Sequence, residues 1–244
     1  MTKTILVIGA RSDIGLAVAH RFATSGYAVQ LAARNALQLD ADAADIALRH
    51  SVNVTTHELD LLAVDTFETF IDSLPELPQV AVCAVGLLGD QPASQSNLQS
   101  ASLVMRSNFE GPALITGLLA QRFESRGSGT IVGISSVAGD RGRASNYIYG
   151  SAKAGYTAFL SGLRNRLAKK NVHVLTVLPG FVRTRMTEGL DLPARLTTDP
   201  DRVAEAISQA VSKGRDVIYV KPIWRLVMAI IRVIPESIFK KTQL

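Results

Sequence analysis

The sequence is poor in several things at once, and each shortage removes a class of protein. It has one cysteine, Cys83, set in an apolar run, which excludes an internal disulfide and any cysteine-rich metal site and fits the reducing cytoplasm. Its four histidines, His20, His50, His57 and His173, show no metal-ligand spacing, so no metal is expected. The net charge is +5, yet the bases are scattered until the last quarter of the chain, which argues against a nucleic-acid footprint. No apolar stretch reaches the ~20 residues that a membrane-spanning helix needs. The first residues enter a strand-like run without the apolar region and cleavage site of a signal peptide, so export is not expected. Internal repeats, low-complexity segments and interdomain linkers are also missing. At 244 residues and 47% hydrophobic, the chain is long and apolar enough for one well-cored α/β domain.

What is present alternates. Apolar runs at 4–8, 28–33, 52–59, 79–85, 130–134, 171–178 and 216–220 read as strands buried on both faces, as in a parallel sheet of about seven strands. Helical patterning separates them at 16–22, 98–123 and 147–170, and again from Asp199-Pro200, which stand in cap-and-proline order. After the first strand comes Gly9-Ala10-Arg11-Ser12-Asp13-Ile14-Gly15, then a helix. Strand, glycine turn and helix N-terminus, in that order, place backbone amides where a pyrophosphate can sit. The second strand ends at Ala33, where an NAD site usually has an acid, and Arg34 follows. With Arg11, this favours NADP(H), while Arg34 as a solvated loop residue is the alternative.

Tyr149 and Lys153 lie four apart on one predicted helical face, so phenol and ammonium can share a cavity. A tyrosine titrates near pH ~10, and an adjacent cation brings its phenolate closer to use. Tyr147 is the rival but has Ser151 four residues on instead of a lysine. Ser136 ends the strand at 130–134, where ligands of parallel sheets gather. Asn108 sits in the middle of the helix at 98–123, an unfavourable place for an asparagine.

These features in this order resemble the short-chain dehydrogenase/reductase family over nearly the whole length. The resemblance implies a Rossmann-type doubly wound fold spanning 1–220 and a catalytic set of Asn108, Ser136, Tyr149 and Lys153. In it Tyr149 is the proton donor, Ser136 orients the carbonyl, Lys153 holds the nicotinamide ribose and lowers the tyrosine pKa, and Asn108 kinks its helix and completes a water relay. It further implies cofactor contacts at Gly9, Arg11, Ser12, Asp13, Ile14, Gly15, Arg34, Asp60, Gly86, Tyr149, Lys153, Pro179, Gly180, Val182 and Thr184. The chain departs from the family in having Asp13 for the middle glycine and Ala84-Val85-Gly86 for the usual Asn-Ala-Gly. The family also implies a homo-oligomer, with 98–123 and 147–170 as contacts.

Blocks outside those motifs are similar to a narrower group, the decaprenylphosphoryl-2-keto-ribose reductases. They are Val85-Gly86-Leu87-Leu88-Gly89-Asp90, Gly139-Asp140-Arg141-Gly142-Arg143, Val182-Arg183-Thr184-Arg185-Met186 and Ile234-Pro235-Glu236-Ser237-Ile238-Phe239. That similarity implies a keto sugar carried on a polyprenyl phosphate. Arg141, Arg143, Arg183 and Arg185 are then candidate substrate contacts; solvated loop charges are the bland reading. The tail, 221–244, holds twelve largely apolar residues at 223–234, with Arg225 and Arg232 on one helical face. It reads equally as an amphipathic segment at the inner face of a membrane or as an oligomer contact covering the sheet edge. The expected activity is NAD(P)H-dependent carbonyl reduction. The rivals are a 3-oxoacyl carrier-protein reductase, or another small-ketone reductase of the family, and a non-catalytic dinucleotide-binding protein.

Overall fold

The computed structural model describes residues 3–242. Its strands are β1 (Thr4–Ile8), β2 (Ala28–Ala33), β3 (Val54–Glu58), β4 (Val80–Cys83), β5 (Gly129–Ile134), β6 (Val172–Pro179), β7 (Phe181–Val182), β8 (Thr197–Thr198) and β9 (Val217–Val220). Seven of them form one parallel sheet in the order β3-β2-β1-β4-β5-β6-β9, while β7 and β8 pair as a separate two-stranded patch. The order reverses direction between β1 and β4. A crevice therefore opens at the carboxyl ends of those strands.

The helices are α1 (Asp13–Ala23), α2 (Asp40–His50), α3 (Phe67–Asp72), α4 (Gln91–Ser96), α5 (Leu98–Met105), α6 (Gly111–Arg126), α7 (Tyr147–Leu167), α8 (Pro200–Ser212), α9 (Ile223–Val233) and α10 (Glu236–Phe239). Strand residues alternate between two cores, as the two-residue period of a strand demands. Ile5 and Val7 face α1 and α8 through Val18, Phe22, Val203 and Ile207. Leu6 and Ile8 belong to the opposite core with Phe123 of α6 and Leu160 of α7. The sheet is thus covered on both sides, which is why its strands read as continuous apolar runs.

Among the departures from the sequence reading, three have a clear local reason. β4 stops at Cys83, so Ala84 and Val85 leave the sheet and line the crevice. β6 starts after Asn171, whose φ of 55° makes a turn rather than a strand residue. The helix expected at 98–123 is interrupted: a π-helical segment, Arg106–Glu110, joins α5 to α6 around Asn108. Such an insertion of a wider turn is a recognised mark of functional helices.

The tail is built into the fold. Trp224 and Met228 of α9 are buried in a third core with Val137 and Leu178. The other face of α9 is bare, with Leu226 63% and Val233 77% exposed.

Candidate active site

Two cavities meet at the crevice. One, of about 420 Å³, is walled by Gly9, Arg11, Arg34 and Asp60; the other, of about 690 Å³, by Ser136, Tyr149, Lys153, Val182 and Thr184. They share Ser12, Ala84, Val85 and Gly86 and so form one groove across the ends of β1 and β4. A hollow of about 930 Å³ at the opposite edge of the sheet, around Lys3, Gln79 and Gly129, is larger. It is a shallow dish at the amino ends of the strands and holds none of the candidate residues, so the crevice is the site.

The glycine turn is shaped by contact. Gly9 has φ 84°, and a Cβ there would lie 2.8 Å from Val85 Cγ2. A Cβ on Gly15 would meet the Gly9 carbonyl oxygen at 2.5 Å. Ser12 caps α1, accepting from the Gly15 N–H at 3.0 Å and donating to the Gly9 carbonyl at 2.7 Å. Asp13 does not disturb this turn, because it opens α1, where a carboxylate suits the helix dipole. It turns instead to the lid that follows β7: its oxygens accept from the Arg185 backbone N–H at 2.8 Å and from Arg185 Nε at 2.9 Å. Arg185 also donates to the Arg11 carbonyl. The residue that replaces a glycine therefore clasps the lid to the turn.

At the far end of the groove Arg11 donates to the Arg34 carbonyl at 3.2 Å, and neither guanidinium has an ion-pair partner among the described residues. Glu58 at the end of β3 accepts from the Asn35 and Ala36 N–H groups at 2.9 and 2.8 Å. This acid holds the bend that carries Arg34 and is occupied by it. This end of the groove therefore presents two guanidinium groups and an acid already held by backbone N–H groups. With the glycine cradle, which any side chain would fill, the groove fits a dinucleotide.

At the other end Ser136 Oγ accepts from the Ala138 N–H at 3.1 Å, so its own hydrogen is free to point into the cavity. Ser136 and the Tyr149 phenol line the same cavity. Lys153 is 2% exposed and donates to the carbonyls of Ile134 at 3.1 Å and Val85 at 3.4 Å. Its Nζ stands 5.8 Å from the centre of the Tyr149 ring. Ser135, not foreseen as part of the site, donates to the Lys153 carbonyl at 2.9 Å and pins α7 to β5.

The electrostatics correct one expectation. Burial pushes the Tyr149 phenol up to about 12, opposed only by Ser136, and brings the Lys153 ammonium down to about 8. Desolvation dominates at the phenol, while the lysine ammonium is held on two carbonyls. Asn108 is fully buried, and its side chain is bonded to backbone groups. Its Nδ2 donates to the Leu87 and Val104 carbonyls at 2.7 and 2.8 Å, and its Oδ1 accepts from the Leu87 N–H at 3.2 Å. The side chain fastens the strap at Leu87 to α5 where the π segment begins.

Of the four arginines expected at the substrate, the structure brings two to the cavity wall, Arg143 and Arg185. Arg141 points the other way, into the tail. It donates to the carbonyls of Ile231 and Ile234 at 2.6 Å, pairs with Glu236 at 2.9 Å and stacks on Phe239. Arg183 is paired with Asp199 at 2.7 Å on the surface. Pro179 and Gly180 do line the cavity, and beside them stands Trp224, which sequence reasoning missed. A Cβ on Gly180 would fall 1.9 Å from the Trp224 ring, whose Nε1 donates to Leu196 at 3.0 Å. The glycine after β6 and the one tryptophan of the chain are a matched pair. In the sequence only the single occurrence of tryptophan marks it.

Comparison with known proteins agrees with this geometry. Residues 3–194 match the short chain dehydrogenase family. An uncharacterized oxidoreductase of Mycobacterium tuberculosis is 36% identical over 240 residues, covering 97% of this chain and 96% of the relative. A 3-oxoacyl-[acyl-carrier-protein] reductase of Aquifex aeolicus is 30% identical over 188 residues, 76% of each chain. The solved short-chain dehydrogenase of Sphingobium yanoikuyae in complex with NADPH superposes with a TM-score of 0.81 at 24% identity, covering 96% of this chain and 97% of that one. The chain belongs to the short-chain dehydrogenase family and is an NAD(P)-dependent oxidoreductase.

Proposed function

We propose that the protein is an NADPH-dependent carbonyl reductase whose substrate is a keto sugar carried on a polyprenyl phosphate. The observation that carries the reductase reading is the convergence of Ser136, Tyr149 and Lys153 on one cavity wall, at the end of a groove shaped for a dinucleotide. Gly9, Ser12, Ile14 and Gly15 hold the pyrophosphate, Arg11 and Arg34 the added phosphate, and Asp60 the adenine side. Lys153 holds the nicotinamide ribose, while Pro179, Gly180, Val182 and Thr184 bound the nicotinamide end. When bound, NADPH supplies a hydride.

The residues of the chain do the rest. Ser136 donates its free hydrogen to the carbonyl oxygen, which polarises the carbonyl and fixes its direction. Tyr149, kept protonated by its surroundings, delivers a proton to that oxygen as negative charge develops there. Lys153, charged below about pH 8, steadies the phenolate left behind. Asn108 holds the strap over Lys153 and so backs the proton path.

The substrate class is supported by the apolar cavity wall of Phe181, Leu190 and Trp224, by Arg143, and by the sequence blocks shared with the keto-ribose reductases. The bare outer face of α9, flanked by Arg225 and Arg232, suits contact with the inner face of an anionic membrane where such a substrate resides. The similarity to a 3-oxoacyl carrier-protein reductase keeps an acyl ketone as the second reading. NADPH oxidation with a short-chain decaprenylphosphoryl-2-keto-ribose analogue and with a 3-oxoacyl thioester decides between them. Faster turnover of the keto sugar is expected; turnover of the thioester alone would favour the second. Replacing Arg34 with Ala should weaken NADPH about tenfold or more and leave NADH unchanged. Equal weakening of both would remove the phosphate role.

A further inference from the structure

Two successive residues of the lid, Arg185 and Met186, touch opposite walls of the groove at its middle. Arg185 grips the first turn: its backbone N–H and Nε donate to the Asp13 carboxylate at 2.8 and 2.9 Å, and Nη2 donates to the Arg11 carbonyl. Met186 reaches the other wall, where a Cβ on Gly86 would lie 3.5 Å from its Cε and 3.6 Å from Lys153 Nζ. The lid therefore crosses the stretch where the two cavities share Ser12, Ala84, Val85 and Gly86. A dinucleotide laid along the groove has its middle, the pyrophosphate, at this crossing.

The charges at the crossing do not balance without the lid. Asp13 opens α1 and sets a carboxylate on the helix end whose N–H groups suit a phosphate. Carboxylate and pyrophosphate repel each other, and none of the four shared wall residues is charged. Arg11 and Arg34 belong to the far cavity, and Arg183 is paired with Asp199 on the surface. Arg185 is the cation that remains. Its Nε and Nη2 are committed to the first turn, while Nη1 has no hydrogen-bond partner among the described residues and the residue lines the cavity. A planar guanidinium fixed along two of its nitrogens loses little freedom when the third takes an anion.

We infer that Arg185 is a cofactor-binding residue: held by Asp13, it carries a cation from the lid to the pyrophosphate and offsets the carboxylate at the head of α1. This moves Arg185 from the substrate end, where the sequence alone put it, to the cofactor. The inference rests on the placement of the dinucleotide under the reductase reading and adds a contact from the lid side of the groove. The pyrophosphate is common to NADPH and NADH, so Arg185 serves both equally, unlike Arg34.

The test is calorimetric binding of NADPH, NADH and ADP-ribose, which keeps the pyrophosphate without the nicotinamide, to the full chain. The Arg185 side chain is 67% exposed, so its truncation leaves the core intact. Arg185→Ala should weaken all three ligands alike, by about five- to twentyfold. A clasp that mattered only as a structural tie would make Asp13→Asn as damaging as Arg185→Ala. The inference instead expects Asp13→Asn to bind within about threefold of wild type, and the double variant to bind about threefold tighter than Arg185→Ala, because the uncompensated carboxylate is gone. ADP-ribose affinity within twofold of wild type in Arg185→Ala overturns the assignment. So does a loss confined to NADPH, an Asp13→Asn protein as weak as Arg185→Ala, or a double variant no tighter than the single one. Wild type that binds NADPH but not ADP-ribose contradicts the placement of the pyrophosphate, and the inference with it. Wild type that binds ADP-ribose with Arg185→Ala unaffected contradicts the inference alone.

Discussion

At the residue scale the site carries a buried cation, Lys153, whose ammonium has two carbonyls and no carboxylate for company. Its pKa falls from 10.5 to about 8, so below about pH 8 the fold bears the full cost of that charge. Between about pH 8 and 10.5 the unfolded chain binds a proton that the folded chain does not, and stability from this group rises with pH across that window. Lys153→Met should accordingly raise the stability at pH 7 by up to about 3 kcal/mol while abolishing turnover, measured by thermal melts and NADPH oxidation. A destabilised variant would mean that the ammonium is better satisfied than the geometry shows. The same shift sets the pH profile. Tyr149 stays protonated to about 12, so reduction should decline as pH rises through about 8, when Lys153 loses its charge. The Tyr149–Lys153 pairing was legible because helical spacing is local. The direction of the tyrosine shift was not, because it depends on how far the fold strips water from the phenol.

At the scale of elements, the crevice is closed by a lid that hangs from β7 and β8 and is clasped to the first turn by Asp13 and Arg185. Arg185 is 67% exposed, so the pair contributes only about 1 kcal/mol, enough to bias the lid without locking it. Arg185→Ala should therefore speed amide hydrogen exchange over residues 185–196 by about fivefold. Unchanged exchange would show that β7–β8 pairing alone holds the lid. Asp13 looked like a defect in the glycine motif because its partner lies far along the chain. The seven strands of the main sheet and the helices α1, α7 and α8, by contrast, were visible from periodicity, while α2 to α4 and the β7–β8 pair were not. The π segment at Arg106–Glu110 was hidden, since apolar spacing carries on through it and Asn108 alone marks it.

At the scale of the whole molecule, the tail is both a wall and a surface. Trp224 walls the cavity with Met228 packed in the same core, Arg141 ties α9 and α10 to the loop between Ser136 and Tyr149, and Leu226 and Ile230 face outward. Cutting the chain after Lys221 would open the site as well as remove the surface, so the informative variant is Leu226→Glu with Ile230→Glu. It should fold and bind NADPH as wild type does but lose co-sedimentation with vesicles containing anionic lipid. Unchanged co-sedimentation would contradict the membrane reading of this face. Amphipathic patterning announced the helix; which side was buried depended on Gly180 leaving room for an indole.

The central claim is that Tyr149 is the proton donor, and Tyr149→Phe tests it with the loss of one oxygen atom. NADPH oxidation should fall about a hundred- to ten-thousandfold, while NADPH affinity, read by energy transfer from Trp224, stays within about twofold. Turnover close to wild type with the cofactor bound would contradict the account.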